Sequence, residues 1–308
     1  MSKADSSVIK GLAILMIMGA HICQAYSVGL MNPLAPVGAF LFLFCSGYGL
    51  QRSYAKTGLQ LYFRKKLIKV YLPYIASVLL YIVFSVVVLQ NNSFNIIRLF
   101  TLMDMPQGSY WYLRLQFYWY FIFWLLKKVR LKPFTENILL LSFSGIVICL
   151  SGFNASYMWQ LFSFPLGVIA ATYDWDFNIK KVRVGAVIVL FAVALLIKKS
   201  PSVESNELGF ADITCQLVMT VALSTLILIF IHMLSKRGLI LYPFRKMGGC
   251  SYVLYLSHII ALDYLRNTQD VLTYIIWTLG FFMVLSLVDK FATNLLKVII
   301  ERHDRKHD

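Results

Sequence analysis

Lys10 and His21 stand eleven residues apart in an apolar stretch that runs from about 7 to 26. In a helix, eleven residues make about three turns, rise about 16 Å and return to within about 20° of the same face. One face then presents a cation at the cytoplasmic boundary and an imidazole in the outer half of the segment. Imidazole titrates near neutral pH and is suited to take a proton from a hydroxyl. An ammonium group can hold a phosphate. The pair fits a long ligand with a charged head and a reactive far end, such as a coenzyme A thioester. It fits equally a snorkelling lysine and a histidine bonded to a neighbouring helix, and spacing alone leaves both open.

Few other ionisable residues fall within apolar stretches, where each is costly. His258 follows Ser251-Tyr252-Val253-Leu254-Tyr255-Leu256-Ser257, and Asp263 lies about 7 Å further along the same helix, at roughly the depth of His21. A carboxylate there is placed to orient an imidazole and favour its protonated form, although the outer headgroup zone would also hold it. Arg114 adjoins Tyr110-Trp111-Tyr112-Leu113, a stripe that, with Trp119 and Trp124, reads as an interface aromatic belt or a sugar platform. His232 and Lys290 sit near cytoplasmic ends and read as interface anchors. The five cysteines are isolated, with no metal-ligand spacing, so no metal is expected.

The elements that must position these residues follow from composition. Of 308 residues, 59% are hydrophobic and 14% charged, against about 45–50% and about 25% in soluble domains. So few charges cannot cover a soluble enzyme, and so much apolar surface cannot stay disordered. A spanning helix needs about 20 mainly apolar residues. Ten stretches qualify: about 7–26, 34–51, 67–89, 110–126, 137–152, 156–173, 183–198, 211–234, 251–266 and 271–290. Pro165 predicts a kink in the sixth. The first resembles a signal peptide in its basic start, but its run is long and its cleavage site poor.

The +15 net charge resolves by loop. With the N-terminus cytoplasmic, 24 of the 29 Lys and Arg residues fall inside and four outside (Arg98, Lys198, Lys199, Arg266), with Arg114 within a span. Cytoplasmic loops carry such an excess, so the charge is an orientation signal and no nucleic-acid partner is expected. The fold class is all-α integral membrane, about ten transmembrane helices with both termini cytoplasmic. Residues 1–308 form a single membrane domain with no appended soluble domain.

Five landmarks in order carry a resemblance. They are Lys10-Gly11-Leu12-Ala13-Ile14 leading to His21, and Val37-Gly38-Ala39-Phe40-Leu41-Phe42-Leu43-Phe44-Cys45-Ser46-Gly47-Tyr48. Tyr62-Phe63-Arg64-Lys65-Lys66-Leu67-Ile68-Lys69-Val70-Tyr71-Leu72-Pro73-Tyr74 follows, then Gly108-Ser109-Tyr110-Trp111-Tyr112-Leu113, then Gly249-Cys250 running into Ser251–His258. Together they resemble the acyltransferase-3 family, multi-pass bacterial membrane proteins that move acyl groups from cytoplasmic donors onto cell-surface sugars. The family's first-helix pattern is Arg, ten residues, His; here lysine takes the first place. Lysine holds a phosphate as a point charge without arginine's bidentate fork.

The resemblance implies an integral-membrane O-acyltransferase in the bacterial inner membrane. Acyl-CoA, expected as acetyl-CoA, is the co-substrate, bound by Lys10, Arg64, Lys65 and Lys66. His21 is the general base on a hydroxyl of a glycan or glycolipid acceptor. His258 and Asp263 are the further catalytic candidates, with Trp111 and Arg114 on the acceptor side. Membrane lipid and polysaccharide-biosynthesis machinery are the expected partners. A ten-helix transporter of metabolites or glycans is the alternative, although the two halves show no internal repeat of the kind such folds use; a non-catalytic family member is another. Lys10→Arg is expected to be tolerated, and Lys10→Gln to raise the donor concentration needed for transfer. Unchanged donor kinetics in Lys10→Gln would remove Lys10 from the phosphate site.

Overall fold

The computed structural model describes residues 1–28, 32–103, 110–150, 152, 154–177, 181–206, 208–236 and 241–304. Gly108 and Ser109 of the fourth landmark, and the cations Lys180, Arg237, Arg305 and Lys306, lie outside the described residues. Those described form no strand. They run as α1 (Lys3–Ala25), α2 (Leu34–Thr57), α3 (Tyr62–Lys66), a π-helical turn (Leu67–Tyr71), α4 (Leu72–Val87), α5 (Ile96–Phe100), α6 (Trp111–Val129), α7 (Pro133–Leu150) and α8 (Ala155–Met158). Then come α9 (Ser163–Thr172), α10 (Lys181–Lys198), α11 (Pro201–Glu204), α12 (Phe210–Lys236), α13 (Tyr242–Gly249), α14 (Ser251–Thr268) and α15 (Val271–Asp304). Five segments are long and apolar enough to cross a membrane: Lys3–Ala25, Leu34–Thr57, Tyr62–Val87, Phe210–Lys236 and Val271–His303. The protein is an all-helical membrane protein.

Each of the ten apolar stretches falls on helix, but three differ from expectation in form. The sixth is broken. Asn154 caps the single turn α8, and α9 is ten residues long, about 15 Å and half the hydrocarbon thickness. Pro165 does not kink a span; it sits in the first turn of α9, where backbone N–H groups have no intrahelical acceptor to lose. The third stretch begins with the π turn, in which the Leu72 N–H bonds the Leu67 carbonyl. That turn stands just before Pro73, whose ring cannot donate to Lys69 and would crowd its carbonyl in a regular α-helix. The last stretch continues to Asp304 with Arg302 and His303 in its final turn, where cations favour the helix dipole. Asp270 starts that helix by accepting the Thr273 N–H at 3.1 Å, and the hydrogen bonds from Thr273 hold its carboxyl below the usual range.

The chain divides into two compact units, each assembled from two separated stretches. The first comprises Met1–Gly58 and Leu115–Gly249. In it α1 packs on α2 and α13, α2 on α9, and α10 on α12. Apolar side chains do not drive helices together in lipid, so close backbone approach and internal hydrogen bonds must do so. Gly11 and Gly248 make the α1–α13 approach: a methyl on Gly11 would overlap the Phe244 carbonyl, and one on Gly248 the Ser7 carbonyl. The α2–α9 crossing is built alike, with Gly47 under the Phe164 carbonyl and Gly167 under that of Phe44. Polar groups within the unit find partners. Lys127 pairs with Glu136, both side chains less than a tenth exposed, under the rings of Tyr54 and Phe123. Gln116, Tyr120 and Ser46 form a hydrogen-bonded cluster joining α6 to α2.

The second unit comprises Leu59–Arg114 and Cys250–Asp308. Here α14 packs on α15 and both pack on α4. Tyrosines stitch it: Tyr252 donates to the Val70 carbonyl at 2.7 Å, Tyr71 to the Phe100 carbonyl at 2.9 Å, and Tyr74 to the Leu99 carbonyl. Phe84, Trp277 and Phe281 form an aromatic cluster between α4 and α15. Across the chain, three of the four cations assigned to the outer side contact an acid: Lys198 with Asp212, Lys199 with Glu204, and Arg266 with Asp263.

Gly248→Ala is expected to destabilise the first unit by about 3 kcal/mol through overpacking against backbone. Gly249→Ala, which meets nothing within 4 Å, serves as the control. Thermal unfolding in detergent checks the pair.

Candidate functional site

Helix α1 carries Lys10 and His21. Ser2 and Asp5 start it with a reciprocal capping box, the Asp5 N–H bonding the Ser2 hydroxyl at 3.1 Å and the Ser2 N–H bonding the Asp5 carboxylate at 2.8 Å. The helix then runs unbroken to Ala25. Lys10 and His21 therefore lie on one continuous helix face, about 16 Å apart along its axis. Both side chains are half-buried.

Contacts with α2 set the level of Lys10. The two helices are antiparallel: Gly38 meets the Ala13 carbonyl and Ile17, Cys45 reaches the Ser6 carbonyl at 4.0 Å, and the Tyr48 hydroxyl bonds the Met1 carbonyl at 3.2 Å. Lys10, between Ser6 and Ala13, is thus level with residues 38–45, the middle of α2. The same register sets Met1 beside Tyr48, on an α2 that extends to Thr57. His21 lies one turn beyond Ile17, toward the end at which α2 begins. Its Nδ1 faces the Oε1 of Gln24 at 3.3 Å. In this amide orientation a carbonyl oxygen can only accept, so the contact is a hydrogen bond when the neutral ring carries its proton on Nδ1 and its lone pair on Nε2.

In the second unit the remaining candidates separate into distinct settings. On α3, Arg64 is exposed and Lys65 half-buried, while Lys66 lies over the Tyr62 ring at 5.7 Å. Lys69 is engaged by Thr293 and by Asp289 at 3.9 Å. Trp111 is half-buried against Tyr112. The Arg114 guanidinium is committed to backbone: Nε donates to the Leu102 carbonyl at 2.8 Å and Nη2 to the Met103 carbonyl at 2.7 Å. These carbonyls follow the C-terminus of α5, a partly negative end that a cation stabilises.

His258 is fully buried; its Nδ1 lies 3.1 Å from the Leu254 carbonyl one turn back, and its ring meets Tyr255. Asp263 is buried too, accepting from the Tyr81 hydroxyl at 3.3 Å, with the Arg266 guanidinium 3.9 Å away. Asp263 and His258 stand five residues apart on α14 and do not share a face. Five residues on one helix point about 140° apart, and each has its own partners.

Sequence reasoning missed four side chains: Gln24, Gln116, Tyr120 and Tyr81. Gln24 was legible in principle, since a polar residue three positions after a histidine shares its helix face. The Gln116–Tyr120 pair has the corresponding i, i+4 spacing. Tyr81 carried no local signal, as 182 residues separate it from Asp263. Removing the Tyr81 hydroxyl leaves a buried carboxylate with one fewer donor. Tyr81→Phe is therefore expected to cost about 1–2 kcal/mol, read as a lowered Tm in detergent; an unchanged Tm would mean the contact carries no weight.

No curated protein and no solved structure matches the chain. A family model described as an acyltransferase domain matches residues 4–289, nearly its whole length and from the first turn of α1 through most of α15. With the continuous helix bearing Lys10 and His21, and the all-helical membrane fold around it, this match assigns the chain: it belongs to the acyltransferase-3 family.

Proposed function

We propose that the protein is an acyl-CoA-dependent O-acyltransferase of the bacterial inner membrane, acting on a hydroxyl of a cell-surface or exopolysaccharide sugar. The ten apolar stretches would cross the membrane, the sixth as the broken pair α8 and α9, with both termini cytoplasmic. The single observation that carries the reading is the unbroken α1, with a cation level with the middle of α2 and an imidazole about three turns beyond it on the same face. A thioester donor entering from the cytoplasm meets Lys10 on its way to His21. The exposed basic stretch around Arg64 raises the local concentration of an anionic donor at the cytoplasmic surface.

In the reaction, the acceptor oxygen attacks the thioester carbonyl carbon as His21 Nε2 takes the hydroxyl proton. Collapse of the tetrahedral adduct breaks the C–S bond, and the imidazolium returns the proton to the departing sulfur. The products are the O-acyl sugar and free coenzyme A, with no net change at His21. Acetyl-CoA is the proposed donor.

The test uses membranes containing the full chain, labelled acetyl-CoA and surface glycans as acceptor, with acetylation read by mass spectrometry. His21→Ala is expected to abolish transfer while leaving membrane insertion intact. Undiminished transfer by the variant would overturn the assignment of the base.

A further inference from the structure

We infer that Gln24 is a positioning residue that sets the tautomer of His21 and strengthens it as a base; this rests on the reading of His21 given above. Three observations converge. His21 and Gln24 share a face of α1 at i, i+3 spacing, and the Gln24 carbonyl oxygen stands 3.3 Å from Nδ1. The Gln24 side chain is exposed, so it does not serve to pack helices. The backbone that carries it is closed tightly: the Ser27 N–H bonds the Gln24 carbonyl at 3.0 Å and the Val28 N–H bonds that of Cys23 at 2.8 Å. Ser27 adopts a left-handed φ of 59° to make that closure. The turn bearing Gln24 is thus held while its side chain is turned back onto the imidazole.

The chemical consequence follows from the donor's identity. With Nδ1–H held by a carbonyl oxygen, the neutral ring offers its lone pair at Nε2. When Nε2 accepts the proton of the attacking hydroxyl, the ring becomes cationic and the Nδ1–H···O bond becomes charge-assisted. Gln24 therefore binds the transition state more strongly than the ground state, which is the condition for raising kcat rather than lowering KM. No bond to Gln24 forms or breaks.

The experiment pairs kinetics with a direct readout of the tautomer. ¹⁵N-histidine-labelled full-length protein in detergent is expected to show the Nδ1–H form at His21, assigned by loss of the signal in His21→Ala. In Gln24→Leu the Nε2–H form is expected to appear, with kcat for acetyl transfer reduced about ten- to hundredfold and KM for acetyl-CoA little changed. Gln24→Glu restores an acceptor at the same reach and is expected to recover the Nδ1–H form and most of kcat. An Nε2–H form in the unsubstituted protein overturns the inference. So does a normal kcat in Gln24→Leu when His21→Ala is inactive. Transfer that survives His21→Ala would instead remove the catalytic reading itself, while the tautomer signature would still report the Gln24 contact.

Discussion

The approach of α1 to α13 is the constraint on which the rest of the molecule depends. In water the helices would be driven together by burying apolar area, but a lipid tail is as apolar as leucine and offers no such gain. What remains is contact between backbones, available only where side chains are absent. Gly11 lies against the Phe244 carbonyl and Gly248 against that of Ser7, each helix supplying one gap and one carbonyl. Because Gly11 adjoins Lys10, the contact fixes the rotation of α1 about its axis. It thereby fixes which face carries Lys10 and, three turns on, His21.

The second principle of construction is that charged side chains buried among the described residues are paired inside the protein. An unpaired charge in lipid costs several kcal/mol, and the structure gives its buried charges partners of opposite sign or hydrogen-bond acceptors. Lys127 illustrates this. By sequence it is one more cytoplasmic cation, yet its side chain is 6% exposed and bound to Glu136. Arg114 is similar: its guanidinium donates to two carbonyls beyond α5. Both side chains gain their partner from a segment that follows or precedes them by a loop, so a local reading sees the charge and not the bond. Lys198, Lys199 and Arg266 likewise lie beside acids.

Much of the architecture was legible because membrane helices obey a simple length and polarity rule. All ten apolar stretches fall on helix. The departures have local physical causes. The π turn before Pro73 absorbs a missing donor, and Pro165 opens α9 rather than bending a span. Hydropathy averaging passes over both, since neither proline makes its window polar. Gln24 shows the same limit in the site: its position on the His21 face follows from helical spacing, while the orientation of its amide does not.

The sequence by itself determined the solvent of this protein, its helical class and the family to which it belongs, because composition and ordered motifs act over short stretches of chain. It also determined that Lys10 and His21 share a face, since eleven residues of unbroken helix allow no other outcome. Only the tertiary structure decided the level of Lys10 along α2, which depends on the antiparallel register of α1 against α2 through Ala13–Gly38 and Ser6–Cys45. It alone joined Asp263 to Tyr81. Register and distant pairing are set by side-chain volume and hydrogen-bond geometry between helices far apart in the chain, and those quantities have no signature in any single segment.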